Sequence, residues 1–162
     1  MPRVVSNSSP IIHLAKIGQM DLLRRQFRTI TVPEAVYREC TTEGKGREEA
    51  KLIKKAEWIK ISKVKDKRLL RLLQSSLDEG ESEALALALE MEADLILLDD
   101  SDAREKAWLC GLKMTGTIGI LSKATMNGEI DSLKKSLERL RGTGFRISNP
   151  LEKRLLREVE ED

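Results

Sequence analysis

The chain has 162 residues, which is about the length of one domain and enough to bury a real core. Charged residues make up 35% of it and apolar residues 40%, a globular composition that excludes a disordered chain. The 29 lysines and arginines nearly balance the 27 aspartates and glutamates, so any basic surface requires segregation of charge in space.

Several features of the sequence bear on where the protein resides. Strand-like residues begin at residue 3, so we expect no signal peptide. Acidic residues interrupt the most apolar stretch, 84–98, so we expect no membrane span. Cys40 and Cys110 form neither a metal-binding pair nor a disulfide framework. We therefore expect a cytoplasmic protein, and the scarcity of Asn and Gln (three of each) favours a thermophilic source.

Short apolar segments alternate with helical patterns along the chain. This alternation predicts an α/β fold with a mostly parallel sheet of four to five short strands, covered by helices on both faces. The predicted strands are 4–6, 29–32, 58–61, 95–98 and 113–115. The predicted helices are 10–17, 20–27, 33–40, 48–56, 67–75, 79–91, 102–110, 116–124, 130–141 and 150–160, with a polar loop at 41–47. Without a repeat or linker, residues 1–162 are expected to form a single domain that ends in the helix at 150–160.

Glu81 falls on an apolar face of the predicted helix 79–91. Residues of a helix advance by about 100° each, so Ala84, Leu85 and Ala88 lie within about 60° of Glu81. Glu83, in contrast, falls on the polar face. Glu81 is therefore a candidate site residue, and the alternative is a first-turn acid that the helix dipole stabilises.

Glu39 has the same property on the predicted helix 33–40. Val32, Ala35 and Val36 lie within about 60° of it, so its carboxylate belongs to an apolar face. Glu39 is a second candidate, and the alternative is a buried salt bridge with an arginine of another helix.

Polar side chains follow two of the predicted strands. Asp99 and Asp100 end the strand 95–98, at the edge where parallel sheets bind ligands. Adjacent strand residues point to opposite faces, so we favour Asp99 as the functional acid and Asp100 as helix cap or second ligand. Asn7 follows the first strand at an equivalent position, and ordinary helix-start chemistry before Pro10 is its alternative.

These candidates, if they share one edge of the sheet, bring three acids and an asparagine together. Carboxylates at close range raise one another's pKa unless a cation compensates them. Oxygen ligands select Mg²⁺ or Mn²⁺ over zinc, and such an ion can activate water and clamp a phosphate during hydrolysis.

Basic residues offer candidate contacts to a phosphate backbone. Arg104, five residues past Asp99, is expected to meet a phosphate near the metal or to pair with an acid there. Only five residues are aromatic, so we expect no stacking platform for bases. We interpret the single histidine, His13, as a structural residue. The best basic group, which a solvated surface would also explain, is Lys63, Lys65, Lys67, Arg68 and Arg71.

Four segments together resemble the PIN-domain family, and more closely its prokaryotic branch related to the toxin ribonucleases of toxin–antitoxin pairs. They are VSNSSPII (5–12), VPEAVYRE (32–39), GESEA (80–84) and LLDD (97–100). Residues 111–124, with glycines at 111, 116 and 119, continue the likeness, so it covers most of the chain.

The resemblance implies a three-layer α/β/α fold and an endoribonuclease that uses one or two Mg²⁺ or Mn²⁺ ions. It also implies a homodimer and an antitoxin-like protein partner. By position, Asn7 stands where most PIN nucleases have their first Asp, and Glu39, Glu81 and Asp99 match the second, third and fourth acids. Ser9 matches the small hydroxyl residue after the first acid. Because Asn7 carries no charge, weakened activity is expected, and the competing hypothesis is a catalytically weak module that binds nucleic acid or a partner.

Overall fold

A single five-stranded sheet forms the centre of the computed structural model, which describes residues 2–43 and 47–161. All neighbouring strands within these ranges pair in parallel, and their order is β3-β2-β1-β4-β5. The strands are β1 (Val4–Ser6), β2 (Ile30–Pro33), β3 (Ile59–Ser62), β4 (Leu95–Leu97) and β5 (Met114–Thr115). The predicted α/β fold with a parallel sheet is thus confirmed.

Helices flank this sheet, and each predicted helix is present with ends that differ by at most three residues, as is usual for helix termini. The predicted loop 41–47 lies partly outside the described residues. The helices are α1 (Ser8–Lys16), α2 (Asp21–Phe27), α3 (Glu34–Thr41), α4 (Glu48–Lys55), α5 (Lys67–Gln74), α6 (Glu79–Glu90), α7 (Ser101–Leu109), α8 (Thr117–Met126), α9 (Leu133–Gly142) and α10 (Asn149–Glu158). No helix in the described part of the chain is long and apolar enough to cross a membrane.

The middle of helix α6 is buried. Its residues 84–88, an alternation of Ala and Leu, are all buried because α6 packs against three strands and against α3 and α5. Burial of one Leu side chain stabilises a fold by about 1.5–3 kcal/mol, so this helix is firmly fixed. The alanines allow close approach to the sheet. The N-terminus of α6, which carries Glu81, is positioned by this packing.

The strand order reverses direction at β1, which lies between β2 and β4. Ser6 pairs with Leu97, and the backbone N–H of Asn7 donates to the carbonyl oxygen of Leu97 at 3.0 Å. The chain leaves the sheet at this edge into α1 and α7. In open parallel sheets such a switch point forms the crevice in which ligands bind.

The C-terminal helices are joined by an arginine. The Arg141 guanidinium at the end of α9 pairs with the carboxylate of Glu152 at 2.8 Å, and it also donates to the carbonyl oxygen of Ile147 at 2.8 Å. The Glu161 carboxylate in turn accepts from the backbone N–H groups of Leu133 and Lys134 at the start of α9. These contacts fix α10 relative to α9.

Candidate active site

Asn7 occupies the N-cap position of α1, but its side chain makes no capping hydrogen bond. Only 5% of the residue is exposed, and its side-chain oxygen Oδ1 is buried without a hydrogen-bond partner among the described residues. A buried unpaired polar atom costs about 1–3 kcal/mol, and native proteins keep few of them. Asn7 therefore stands at the start of the helix without using its side chain as a cap, and its Oδ1 atom keeps a free acceptor.

The first turn of α1 lies between two acids. The Ser8 hydroxyl donates to Oε2 of Glu39 at 2.6 Å, and the Ser9 hydroxyl donates to Oδ2 of Asp99 at 2.6 Å. Consecutive serines thus hold carboxylates from α3 and from the end of β4. Asn7 immediately precedes this pair of contacts.

Glu39 is half-buried and belongs to no ion pair within the described ranges, so the structure gives no support to the salt-bridge alternative. The neighbouring Arg38 pairs instead with Glu79 at 2.7 Å. Burial raises the pKa of Glu39, against the Ser8 hydrogen bond, and the charges of nearby acids raise it further. A cation close to this carboxylate would stabilise its ionised form.

Gly80, in the first turn of α6, lies directly against Glu39. A Cβ at Gly80 would overlap the Oε1 atom of Glu39 and lie 3.0 Å from its Cδ atom. The absence of a side chain at residue 80 is therefore what allows α3 to place its carboxylate at the N-terminus of α6.

Glu81 is half-buried in the first turn of α6. It closes a capping box with Asp78, because its N–H donates to the Asp78 carboxylate at 2.8 Å while its Oε1 accepts from the Asp78 N–H at 3.2 Å. Burial raises the pKa of Glu81 to about 7, against that backbone hydrogen bond. The negative charges of Asp78 and Asp100 raise it further, so Glu81 lies close to Asp100 at the end of β4.

Glu83 is not the freely solvated residue that the helical pattern indicates. It is half-buried, and its Oε1 accepts the backbone N–H of Ala35 in the first turn of α3 at 3.2 Å. It thereby joins α6 to α3. The helical pattern of α6 alone could not predict this contact, because α3 packs against more of α6 than its apolar face.

Asp99 follows the end of β4. It accepts hydrogen bonds from residues that follow the two strands paired with β4, which are β1 and β5. In addition to Ser9, Thr117 donates its backbone N–H to Oδ1 at 2.7 Å and its hydroxyl to Oδ2 at 2.7 Å. A Cβ at Gly116 would lie 2.6 Å from Oδ1, so this residue has no space for a side chain. Asp99 is therefore a rigidly held carboxylate.

Asp100 and Arg104 complete the end of β4. The exposed Asp100 caps α7 by accepting the Ala103 N–H at 3.0 Å, which is one of the two roles expected for it. Arg104 pairs with no acid among the described residues, and its Nη1 donates to the carbonyl oxygen of Leu98 at 2.8 Å.

The structure places Glu81 close to Asp100, but the candidate acids in the described residues do not form one tight cluster. No group of three or more His, Cys, Asp or Glu side chains in residues 2–43 and 47–161 lies close enough to hold a metal ion. The donor set nevertheless fits a divalent cation, because it consists of oxygens only and includes the unpaired Asn7 Oδ1 and acids of raised pKa.

The predicted basic group lies away from these acids. The backbone N–H of Lys65 donates to Glu90, at the opposite end of α6 from Glu81 and about 14 Å along a helix that rises about 1.5 Å per residue. The five side chains of the group are exposed around the start of α5: Lys63, Lys65, Lys67, Arg68 and Arg71.

Sequence reasoning missed Ser8, Gly80 and Thr117 as supporting residues. Each is a small residue that touches an acid from another element, so its role depends on the tertiary contact. The sequence indicated these residues only by their position along the chain. Each of them directly adjoins a candidate residue or a glycine at the start of a helix.

The fold and the site define a class, namely a parallel α/β domain that carries carboxylate and amide side chains at its switch point. The sequence profile of the family described as PIN domain matches residues 3–161, and the chain therefore belongs to the PIN-domain family. Members of this family are generally nucleases and typically use divalent metal ions.

A solved structure supports the fold independently. The chain is similar to a PilT N-terminus domain protein from the hyperthermophilic archaeon Sulfolobus solfataricus P2, with a TM-score of 0.51 and 18% identity. The likeness covers 75% of this chain and 92% of that one. No functionally curated protein matches the chain significantly.

Proposed function

We propose that this protein is an endoribonuclease that hydrolyses RNA phosphodiester bonds with Mg²⁺ or Mn²⁺. The observation that carries the proposal is the unpaired, buried Oδ1 of Asn7 at the switch point, beside the two acids that Ser8 and Ser9 hold. Membership of a family whose members are generally nucleases supports the same reaction class.

The residues proposed to hold one or two ions are Asn7, Glu39, Glu81, Asp99 and Asp100. A divalent ion bound there would supply a polarised water and charge neutralisation for the phosphate. Glu39, Glu81 and Asp99 would carry the negative charge that binds it, since Asn7 offers only a carbonyl oxygen.

The remaining residues position these ligands. Ser9 and Thr117 fix both oxygens of Asp99, and Ser8 fixes Glu39, so the carboxylates need little rearrangement when a substrate binds. Arg104 donates one N–H to Leu98 and keeps further donors for a phosphate oxygen close to Asp99.

Cleavage of a fluorophore-quencher single-stranded RNA tests the proposal. The parent should cleave with Mn²⁺ or Mg²⁺ and stop when EDTA is added. Asp99→Asn and Glu81→Gln should each lower the rate at least about 100-fold if the ion is lost. Glu105→Gln, which removes an exposed acid from α7, is the matched control and should cleave like the parent. Equal cleavage by all four proteins would contradict the proposal.

A second candidate function, a catalytically weak module that binds RNA or a partner, is favoured by one specific observation. The oxygens of Asp99 already accept three hydrogen bonds, from Ser9 and Thr117, which leaves less of their acceptor capacity for an ion. Such a module would bind RNA in EDTA but show no metal-dependent cleavage. The homodimer and the antitoxin-like partner implied by the resemblance stay predictions, and sedimentation velocity of the purified chain tests the first.

A further inference from the structure

A cleft begins at Asp99 and extends beyond the residues of the proposed metal site. It has a volume of about 390 Å³ and lies between the β5–α8 junction and the segment that enters α10. This volume is at the small end of the range of about 300–1,000 Å³ that ligand pockets occupy. Asp99 and Arg104 form one wall, so the cleft opens next to the proposed reaction centre.

The opposite wall is cationic. Arg146 and Arg154 line the cleft, are exposed, and form no hydrogen bond or ion pair with any residue in the described ranges. Arg141, by comparison, is fully engaged with Glu152 and Ile147. Two free guanidinium groups around one small cleft fit a phosphate, because the planar fork of arginine matches phosphate oxygens in pairs.

An aromatic ring adds an apolar surface to the same cleft. Phe145 is half-buried, and the His13 ring meets it edge-on with centroids 5.0 Å apart and an interplanar angle of 87°. The Nδ1 atom of His13 lies 3.0 Å from Oγ1 of Thr143. Because that hydroxyl already donates to Leu140, Nδ1 is the donor, and the histidine is held in place as a support for Phe145.

We propose that this cleft is a nucleotide subsite for the RNA residue next to the scissile phosphate. Arg146 and Arg154 bind a flanking phosphate, and the ring of Phe145 packs against the base. The placement beside the scissile bond rests on the proposed function. One ring suffices for one base, which is consistent with the scarcity of aromatic residues elsewhere.

The first test measures binding without cleavage. Anisotropy of a short fluorescein-labelled oligouridylate is recorded in EDTA between about 50 and 200 mM salt. The double variant Arg146→Gln/Arg154→Gln should bind at least about ten-fold more weakly than the parent at low salt. Its log–log salt slope should be smaller by about 0.7, because both arginines contact one phosphate and each neutralised phosphate of a single strand contributes about 0.7.

The control double variant Lys153→Gln/Arg157→Gln removes the same amount of charge from α10, the helix that carries Arg154, but from outside the cleft. It should bind almost as tightly as the parent. If it weakens binding as much as the cleft variant does, overall charge explains the result and the subsite is wrong. The subsite is equally wrong if the parent does not bind RNA, as when the cleft serves an acidic protein segment.

The second test separates a nucleotide from a bare anion. Phe145→Leu keeps an apolar side chain against His13 but removes the ring. It should lower RNA affinity about five-fold, the weak end of base–aromatic stacking, with an unchanged salt slope. Unchanged affinity would reduce the cleft to an anion site and overturn the nucleotide assignment. Because these assays contain no metal, a parent that binds as expected but never cleaves would contradict the enzyme proposal and the placement beside a scissile bond, but not the binding of a nucleotide in the cleft.

Discussion

Asn7 is the residue at which the chemistry of this site differs from one built of acids alone. Its amide oxygen is buried and unpaired, and it supplies a ligand atom without a charge. Glu39 and Glu81, in contrast, have pKa values raised by burial and by neighbouring acids. The site therefore contains unfavourable negative charge that a cation would relieve, but one charge fewer than four acids would provide.

The Asn7→Asp substitution should destabilise the protein without metal and stabilise it when metal is added. Without metal the new carboxylate should destabilise the fold by about 1 kcal/mol, as expected for repulsion at an effective dielectric near 20 and a separation well beyond contact. With Mn²⁺ its melting temperature should rise more than that of the parent, because the ion binds only the folded state. Cleavage should also become faster.

The matched control is Asn149→Asp, which also adds a charge at the start of a helix but on α10. Calorimetric melting with and without Mn²⁺ provides the comparison. If Asn7→Asp responds to metal no more than Asn149→Asp does, residue 7 is not a ligand.

Glu81 should make the stability of the metal-free protein depend on pH. Its pKa rises from 4.5 to about 7 on folding, so between these values the folded state binds more protons than the unfolded state. The free energy of unfolding should therefore fall as pH rises from about 4.5 to about 7. Glu81→Gln keeps the acceptor of the capping box and should flatten this dependence.

Urea unfolding in EDTA across this pH range measures the effect. Glu138→Gln removes an exposed acid from α9 and should keep the slope of the parent. A Glu81→Gln slope identical to that of the parent would show that Glu81 is not the titrating group.

At the scale of elements, the N-terminus of α6 positions two of the three acids. Gly80 gives Glu39 its space, and the capping box orients Glu81. The helical pattern predicted Glu81 on the apolar face because its neighbours in the sequence define that face, and the residue is half-buried. It could not predict Gly80 against Glu39 or Glu83 against Ala35, because those contacts depend on how α3 crosses α6.

Gly80→Ala should separate stability from activity. Alanine favours a helix over glycine by about 1 kcal/mol, so the fold should lose little stability although the Glu39 carboxylate must move. Metal-dependent cleavage should fall at least about ten-fold, because a ligand displaced by about 1 Å costs that much or more. Melting temperature and cleavage rate are measured on the same preparation.

Gly142→Ala is the control for that change. Gly142 is also helical, and a Cβ there meets nothing within 4 Å. It should gain stability and cleave like the parent. A Gly80→Ala variant that cleaves equally well would show that Glu39 need not hold its position.

At the scale of the whole molecule, cationic groups are segregated although the net charge is only +2. One group surrounds the start of α5, and another lines the cleft by α10. The α5 group could be predicted from the sequence, because its members lie close together along the chain. The group that lines the cleft could not, because Asp99, Arg104 and the arginines of 146–154 meet only when α10 packs beside β5. Strand order likewise required the fold, whereas strand positions followed from apolar runs.

The α5 group gives a prediction of its own. Lys67→Gln/Arg68→Gln should weaken RNA binding uniformly across RNA sequences and lower the salt slope, if these exposed side chains contact phosphates. Lys54→Gln/Lys55→Gln, which removes two exposed charges from α4, is the control. Equal binding by both variants would mean that the group is only a solvated surface.

The most direct test of the central claim is a Mn²⁺ titration of the purified protein, with free Mn²⁺ measured by electron paramagnetic resonance. We expect at least one saturable site in the parent and in Glu105→Gln, and its loss in the double variant Glu81→Gln/Asp99→Asn. A parent that binds no Mn²⁺, or a double variant that binds it as tightly as the parent, would contradict the assignment of a metal centre to this edge of the sheet.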